Sequence, residues 1–305
     1  MSSIDLACDV PEIERSLRDW LEAGALDPPV RVTLDVRVAD RWVEVDDARR
    51  VFEQPGVEIR SGPPEDGVAI SWQVAPARAV IPAGSTVAQV VLSREAAGMV
   101  DRCTRTFMTT VLIFLLRRVG WHHVHAATAI DPLGRGWLLA GNAHAGKSTT
   151  AALLASRGWR VGTDDTAFLV SDGERVSVVA RRGPIALREG GCDLVARSRG
   201  GKSIPERGKT GFWPEELGGA WVSRIDPELL LFTSVGDATT SARRLSPGEA
   251  LPELVRWSAW VMLEPELADE HLELIRRLAQ QVRSYRVTFG RDLFEGSACL
   301  EDLVA

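Results

Sequence analysis

The residue types best suited to chemistry stand between Gly136 and Asp165, GWLLAGNAHAGKSTTAALLASRGWRVGTDD. Within this stretch Gly141-Asn142-Ala143-His144-Ala145-Gly146-Lys147-Ser148 satisfies G-x-x-x-x-G-K-[ST] in full, and Thr149 follows it. Gly141 and Gly146 let the backbone turn tightly and aim successive N–H groups inward. A helix starting near Lys147 adds its positive dipole end, so the run makes a cradle for an anion. Lys147 would reach the outer phosphates of ATP as a point charge, and the Ser148 hydroxyl would ligate Mg²⁺. Residues Gly141 to Thr149 are thus expected to bind nucleotide, against the plainer reading of a structural strand-turn-helix. One short helix further on stand two adjacent carboxylates, Asp164 and Asp165. Phosphoryl transfer to a hydroxyl needs Mg²⁺ to bridge the phosphates and a carboxylate to accept the hydroxyl proton, and two adjacent aspartates can divide that work. The plainer reading of the pair is a polar turn capping Thr166 onwards.

These residues need elements to hold them. The apolar run Trp137-Leu138-Leu139-Ala140 predicts the strand entering the loop, and Ser148 to Arg157, with Ala151, Ala152, Leu153 and Leu154, predicts the helix leaving it. Gly158 to Thr163 then leads into the aspartates. Upstream, His122, His123 and His125 cluster in Trp121 to Ile130, but with no cysteine or carboxylate pair nearby this spacing points away from a metal site. Downstream, Phe168-Leu169-Val170 and Val176 to Val179 flank Ser171-Asp172-Gly173-Glu174-Arg175 as a hairpin. Arg197 to Glu216, which holds Lys202 and Lys209, mixes Gly, Pro, Lys and Arg with little periodicity and predicts a long surface loop or lid. A strand at Leu229 to Phe232, a helix opened by the capping box Ser246-Pro247-Gly248-Glu249, a helix over Glu266 to Arg283, a strand at Tyr285 to Phe289 and a helix over Leu293 to Val304 complete the scaffold.

The first hundred residues read differently. A short helix over Pro11 to Ala25, ending at Gly24, precedes the alternating run Arg31 to Val38, whose partner across Ala39-Asp40-Arg41 would be Trp42-Val43-Glu44-Val45. Val57 to Arg60, Val68 to Val74 and Val87 to Leu92 predict further strands. Met99, Cys103, Phe107, Val111, Leu112, Leu115 and Val119 trace one stripe of a helix over Glu95 to Val119. The expected organisation is a mainly β region over residues 1–120 ending in a linking helix, then a phosphate-loop domain over 121–305.

Composition bounds the partners. With 45% apolar and 26% charged residues in 305, the sequence is that of a soluble globular protein able to bury a core. A net charge of −6 offers no general attraction to nucleic acid or to an anionic membrane. Cys8, Cys103, Cys192 and Cys299 are far apart and form no C-x-x-C pair, so neither zinc nor a disulfide framework is expected. Met1 to Val10 lacks the pattern of a secretory signal, and Val111 to Leu116 falls far short of the ~18 apolar residues of a membrane span. A cytoplasmic location follows as the expectation; a homo-oligomer is left open.

With His125-Ala126-Ala127, Gly136, the loop GNAHAGKS, Arg157-Gly158-Trp159 and Asp164-Asp165 in this order, the chain resembles the catalytic domain of bacterial HPr kinase/phosphorylase. It is more similar still to the looser group of HPr-kinase-related proteins. Weaker similarity runs through Arg182-Gly183, Leu245 to Ala250 and Tyr285 to Gly290, within residues 121–305. The resemblance implies the α/β phosphate-loop fold shared with phosphoenolpyruvate carboxykinase. It also implies Asp164 as the base, Asp165 with Ser148 near Mg²⁺, and His125 close to the base. Where HPr kinases carry Glu-Ile-Arg-Gly, this chain has Ala180-Arg181-Arg182-Gly183, so the metal-side glutamate is missing and HPr is disfavoured as substrate. Arg182, Lys202 and Lys209 stand as substrate or lid residues. Relatives in gene clusters for ribosomally made peptides, the lasso-peptide type among them, resemble kinases that phosphorylate a peptide serine. The expectation is an ATP- and Mg²⁺-dependent kinase acting on a serine of a peptide or small protein. The alternatives are a kinase for a small-molecule alcohol and a nucleotide-sensing module without transfer.

Overall fold

Period-two patterning in Arg31–Val38 gives a strand that buries Val32, Leu34 and Val36 on one face. This strand belongs to a computed structural model that describes residues 3–22, 31–39, 49–54, 56–61, 67–195, 201–204, 208–236, 238–258 and 263–304. The fold is mixed α/β with two large sheets, in two compact units: Met1–His122 with Trp260–Glu270, and His123–Ala259 with His271–Ala305.

In the first unit the strands are β1 (Ser3–Cys8), β2 (Arg31–Val38), β3 (Arg49–Gln54), β4 (Val57–Ser61), β5 (Val68–Trp72), β6 (Ala77–Ile81) and β7 (Val87–Leu92). They form one seven-stranded sheet in the order β1-β2-β7-β6-β5-β4-β3. β1, β2 and β7 run parallel, and the meander from β7 to β3 is antiparallel. Helix α1 (Pro11–Glu22) buries Ile13 and Leu17. β1 has no counterpart in the sequence reading, and the partner strand expected at Trp42 to Val45 lies outside the described residues. The single helix expected over Glu95 to Val119 is broken into α2 (Arg94–Gly98), α3 (Val100–Arg102), a π-helical stretch Cys103–Met108 and α4 (Thr109–Arg117). Ser93 caps α2 by accepting from the Ala96 N–H at 3.1 Å. The break falls at Gly98-Met99, where a poor helix former meets a non-helical Met99 (φ −94°, ψ 49°). The apolar stripe survives the break because Cys103, Phe107, Val111, Leu112 and Leu115 are still buried.

The second unit is built on β8 (His122–Ile130), β9 (Gly136–Ala140), β10 (Arg160–Thr163), β11 (Thr166–Asp172) and β12 (Arg175–Ala180). β13 (Ile185–Leu187), β14 (Lys202–Ile204), β15 (Lys209–Phe212), β16 (Ala220–Trp221), β17 (Arg224–Ile225), β18 (Pro227–Val235), β19 (Ser241–Leu245) and β20 (Arg283–Phe289) follow. The large sheet runs β17-β12-β11-β8-β9-β18-β20-β19, with β10 joining β8 to β16. β9, β18 and β20 are mutually parallel at its centre, which is why Trp137–Ala140 and Leu229–Phe232 read as unbroken apolar runs. Helix α5 (Lys147–Ser156) packs Ala151, Ala152, Leu153 and Leu154 into the core beside Trp137 and Trp159, whose rings meet edge to face at 5.1 Å. The expected hairpin forms between β11 and β12. The capping box forms at Ser246, which opens α7 (Pro247–Arg256).

Two expectations are corrected here. The stretch taken as a long loop contains, in its described part, β14 and β15, and β15 pairs with β14 on one side and β13 on the other in a three-stranded antiparallel sheet. Short polar strands carry too little periodicity to be read alone; β15 is ordered by pairing with the apolar Ile185-Ala186-Leu187, and β14 by pairing with β15. The closing helix is two pieces, α9 (Arg291–Glu295) and α10 (Leu300–Leu303), after α8 (Pro265–Gln281); α6 (Glu189–Val195) is an addition.

Candidate active site

The turn from β8 into β9 aims the loop. Asp131, buried, accepts from the N–H groups of Leu133 (3.0 Å) and Arg135 (2.8 Å), from Arg135 Nε (2.6 Å) and from Trp137 Nε1 (3.1 Å). Desolvation raises its pKa, but those bonds from Arg135 and Trp137 outweigh it and leave the carboxyl below the ordinary value. β9 then delivers Gly141 against β18, where a Cβ would sit 2.7 Å from the Thr233 carbonyl oxygen. At the far end Gly146 holds φ +85° as the residue preceding α5, a conformation that suits glycine alone. His144 holds φ +67° without that freedom, and it is exposed with Asn142 and Ala143 at the loop tip, while Ala145 is buried.

Lys147 is buried, and its Nζ donates to the carbonyl oxygens of Gly141 (2.7 Å) and Asn142 (3.0 Å), so the ammonium lies over the loop that precedes it. Burial lowers its pKa; Asp165 and Asp164 oppose that shift, and Lys209 adds to it. An anion in the loop would restore charge balance that two carbonyl dipoles supply only in part.

The aspartates are set by β10. Thr163 N–H donates to Thr128 Oγ1 of β8 at 3.1 Å, and Thr163 Oγ1 in turn accepts from the N–H groups of Asp165 and Thr166, both at 3.3 Å. The threonine therefore provides the cap that the plainer reading assigned to the aspartates, and both carboxylates are available for other work. Asp164 Oδ2 accepts from Ala186 N–H of β13 at 3.1 Å. It is 8% exposed. Desolvation, with the charge of Asp165, raises its pKa against the pull of Ser148, Ala186 and Lys209. Asp165 has a side chain 40% exposed, and its Oδ1 lies 2.8 Å from His125 Nδ1. His125 is fixed from behind by its own N–H, which donates to the Trp257 carbonyl at 3.0 Å.

The His125 ring nitrogen contacts Asp165, the neighbour of the Asp164 it was expected to lie close to. Successive side chains diverge as the chain leaves β10, so Asp164 turns inward to β13 and Asp165 outward to β8. The other candidates also separate. Lys209, half-buried at the start of β15, is within electrostatic range of both Lys147 and Asp164. Lys202 is exposed on the edge strand β14. Arg182 is clasped between Trp213 and Trp221, with its guanidinium carbon 5.5 and 5.1 Å from the ring centres, and Glu215 is 3.9 Å away. Thr149 is half-buried on the first turn of α5, its Oγ1 3.1 Å from where a Cβ on Gly191 would stand. Two participants escaped the sequence reading. Thr163 had a signal, a threonine two residues before the aspartate whose N–H it accepts from; Ala186 had none.

Of the other histidines, His122 is buried 3.3 Å from Glu270 and His123 meets Phe168 edge-on at 6.0 Å. Among the described residues no group of three His, Cys, Asp or Glu could hold a metal, the four cysteines are free, and no helix is long and apolar enough to cross a membrane. Two carboxylates and a hydroxyl are hard oxygen donors of the kind Mg²⁺ takes, and that ion keeps water and phosphate oxygens for the rest of its shell, so the residues present fit it.

No protein-family model and no curated protein matches the sequence. Among solved structures, the Hpr(Ser) kinase/phosphatase from Coxiella burnetii is similar over 60% of this chain and 88% of that one, at 16% identity and a TM-score of 0.32. At a likeness this slight, the functional reading rests on the geometry of the site.

Proposed function

We propose that the protein is an ATP- and Mg²⁺-dependent kinase of the HPr-kinase-related type, transferring the terminal phosphoryl group to a hydroxyl, a serine of a peptide or small protein. One observation carries this reading: a lysine folded onto a glycine-bounded loop at a helix N-terminus stands within electrostatic range of two adjacent carboxylates, one of them 2.8 Å from a histidine ring nitrogen. The loop amides and Lys147 would bind the outer phosphates and stabilise charge on the transferred group. The carboxylate pair would hold the acceptor hydroxyl and take its proton. Mg²⁺, held by Ser148 and a carboxylate, would neutralise charge on the phosphates. An acidic pair so close behind the loop supports transfer over simple nucleotide binding, because binding alone needs no proton acceptor.

The test is incubation with ATP labelled at the terminal phosphate, Mg²⁺ and serine-containing peptides, with small alcohols as a second panel. Transfer to peptide that disappears in Lys147→Ala supports the proposal. Transfer only to small alcohols moves the acceptor class, and ATP binding with no transfer to any acceptor or to water identifies a nucleotide-sensing module instead.

A further inference from the structure

We propose that Arg182 is a receptor for a carboxylate of the acceptor, so that the peptide this chain phosphorylates carries an acidic group near its serine. The inference rests on the kinase reading and names a chemical feature of its substrate. A guanidinium has two flat faces and a rim of N–H donors. The guanidinium carbon of Arg182 lies over the indole rings of Trp213 and Trp221, 5.5 and 5.1 Å from their centres. Contact with aromatic faces holds the charge in place and provides no oxygen for its donors. Among the described residues the Arg182 side chain makes no hydrogen bond, and its ion-pair partner Glu215 stands 3.9 Å away, outside hydrogen-bond range. The side chain is 41% exposed, so the rim is open to a ligand. The planar group that matches it is a carboxylate, which arginine takes through two parallel bonds.

The cage is tied to the acidic pair by the backbone. Arg181 N–H donates to the carbonyl of Thr166, the residue after Asp165, at 3.2 Å, and Trp221 Nε1 donates to the Gly162 carbonyl at 3.0 Å. Gly162 permits this approach, since a Cβ there would lie 2.5 Å from Ala180 Cβ and 2.8 Å from the Val222 carbonyl oxygen. The strand that delivers the aspartates is thereby packed against the chain entering Arg182 and against one of its tryptophans. The other, Trp213, directly follows β15, which carries Lys209. Charge supplies the reason for a receptor here. Asp164 and Asp165 repel an acidic acceptor, and a fixed cation beside them offsets that repulsion while selecting the acceptor that carries the matching group. Glu215, itself 47% exposed, is the internal competitor for the rim.

Two readouts on the full chain test this: fluorescence anisotropy of dye-labelled peptides in the presence of MgADP, and transfer from labelled ATP. One peptide set holds a serine in a neutral background with both ends blocked and a glutamate at successive positions on either side; a second has no glutamate and a free C-terminal carboxylate. The wild-type chain is expected to favour a carboxylate-bearing peptide over the neutral blocked one by about ten- to a hundredfold, in Kd and in KM alike. The set that shows the preference identifies the source of the carboxylate. Arg182→Ala should abolish the preference and leave ATP affinity unchanged, which also reports that the variant is folded. Arg182→Lys should restore only part of it, because an ammonium lacks the planar rim. Trp213→Ala should cost roughly two- to fivefold, and Glu215→Gln should tighten binding by removing the competitor. Equal binding of acidic and neutral peptides by the wild-type chain, or a loss in Arg182→Ala that falls on ATP affinity, overturns the assignment. Charge-selective binding that Arg182→Ala abolishes, with no transfer to any peptide, leaves the receptor standing and removes the kinase reading instead.

Discussion

Lys147 and Lys209 come from distant points of the chain to within electrostatic range of Asp164, and their like charges repel. An anion between them would relieve that repulsion. Lys209 is half-buried at the start of β15, and among the described residues no carboxylate forms an ion pair with it. Lys209→Ala is therefore expected to weaken ATP binding by roughly three- to tenfold, the size of a partly screened charge contact. ADP, which lacks the outermost phosphate, should lose less, and parallel titrations with the two nucleotides check this. Lys209→Arg should recover most of the affinity.

At the scale of elements, the loop and the turns beside it hold the site by contacts that tolerate little change. A methyl group at Gly141 would meet the Thr233 carbonyl at 2.7 Å and its hydroxyl at 2.8 Å. Gly141→Ala should thus cost about 1–3 kcal/mol of stability, read by denaturant melts, and should weaken ATP binding because the strand and loop must shift. The β8–β9 turn depends on Asp131 in a different way. Removing its carboxylate with Asp131→Ala orphans Trp137 Nε1 and breaks the Arg135 contacts, at about 1–3 kcal/mol. Its pKa in the fold is depressed, so this stabilisation is fully present above the unfolded-state pKa of about 4 and is lost as pH falls through the lower folded value. The stability gap between wild type and Asp131→Ala should accordingly shrink on acidification below about pH 4 and stay level from there to neutrality; urea melts at a series of pH values measure it.

For the whole molecule, two compact units each carry their own large sheet, and the candidate residues belong to the second. Ligand bound only by the folded loop stabilises that fold by mass action, about 2.7 kcal/mol at a hundred times Kd. MgATP should therefore raise the melting temperature of the wild-type protein and not that of Lys147→Ala, as followed by tryptophan fluorescence.

How much of this is legible without coordinates depends on the range of the interactions involved. The loop, the strand before it and the helix after it follow from local sequence, because glycine placement, apolar runs and a capping box act within a few residues. So do the β11–β12 hairpin and the helix start at Ser246, each specified by its own turn chemistry. The sequence by itself thus determined that a phosphate-cradle pattern is followed closely by two aspartates. Only the tertiary structure decided which aspartate meets which partner, since His125 and Ala186 reach the pair from two separate strands. The sheet that brings Lys209 was hidden for the same reason. Its strands are too short and polar to declare themselves; β15 forms because β13 offers an edge to pair with once the chain has folded back, and β14 adds to β15.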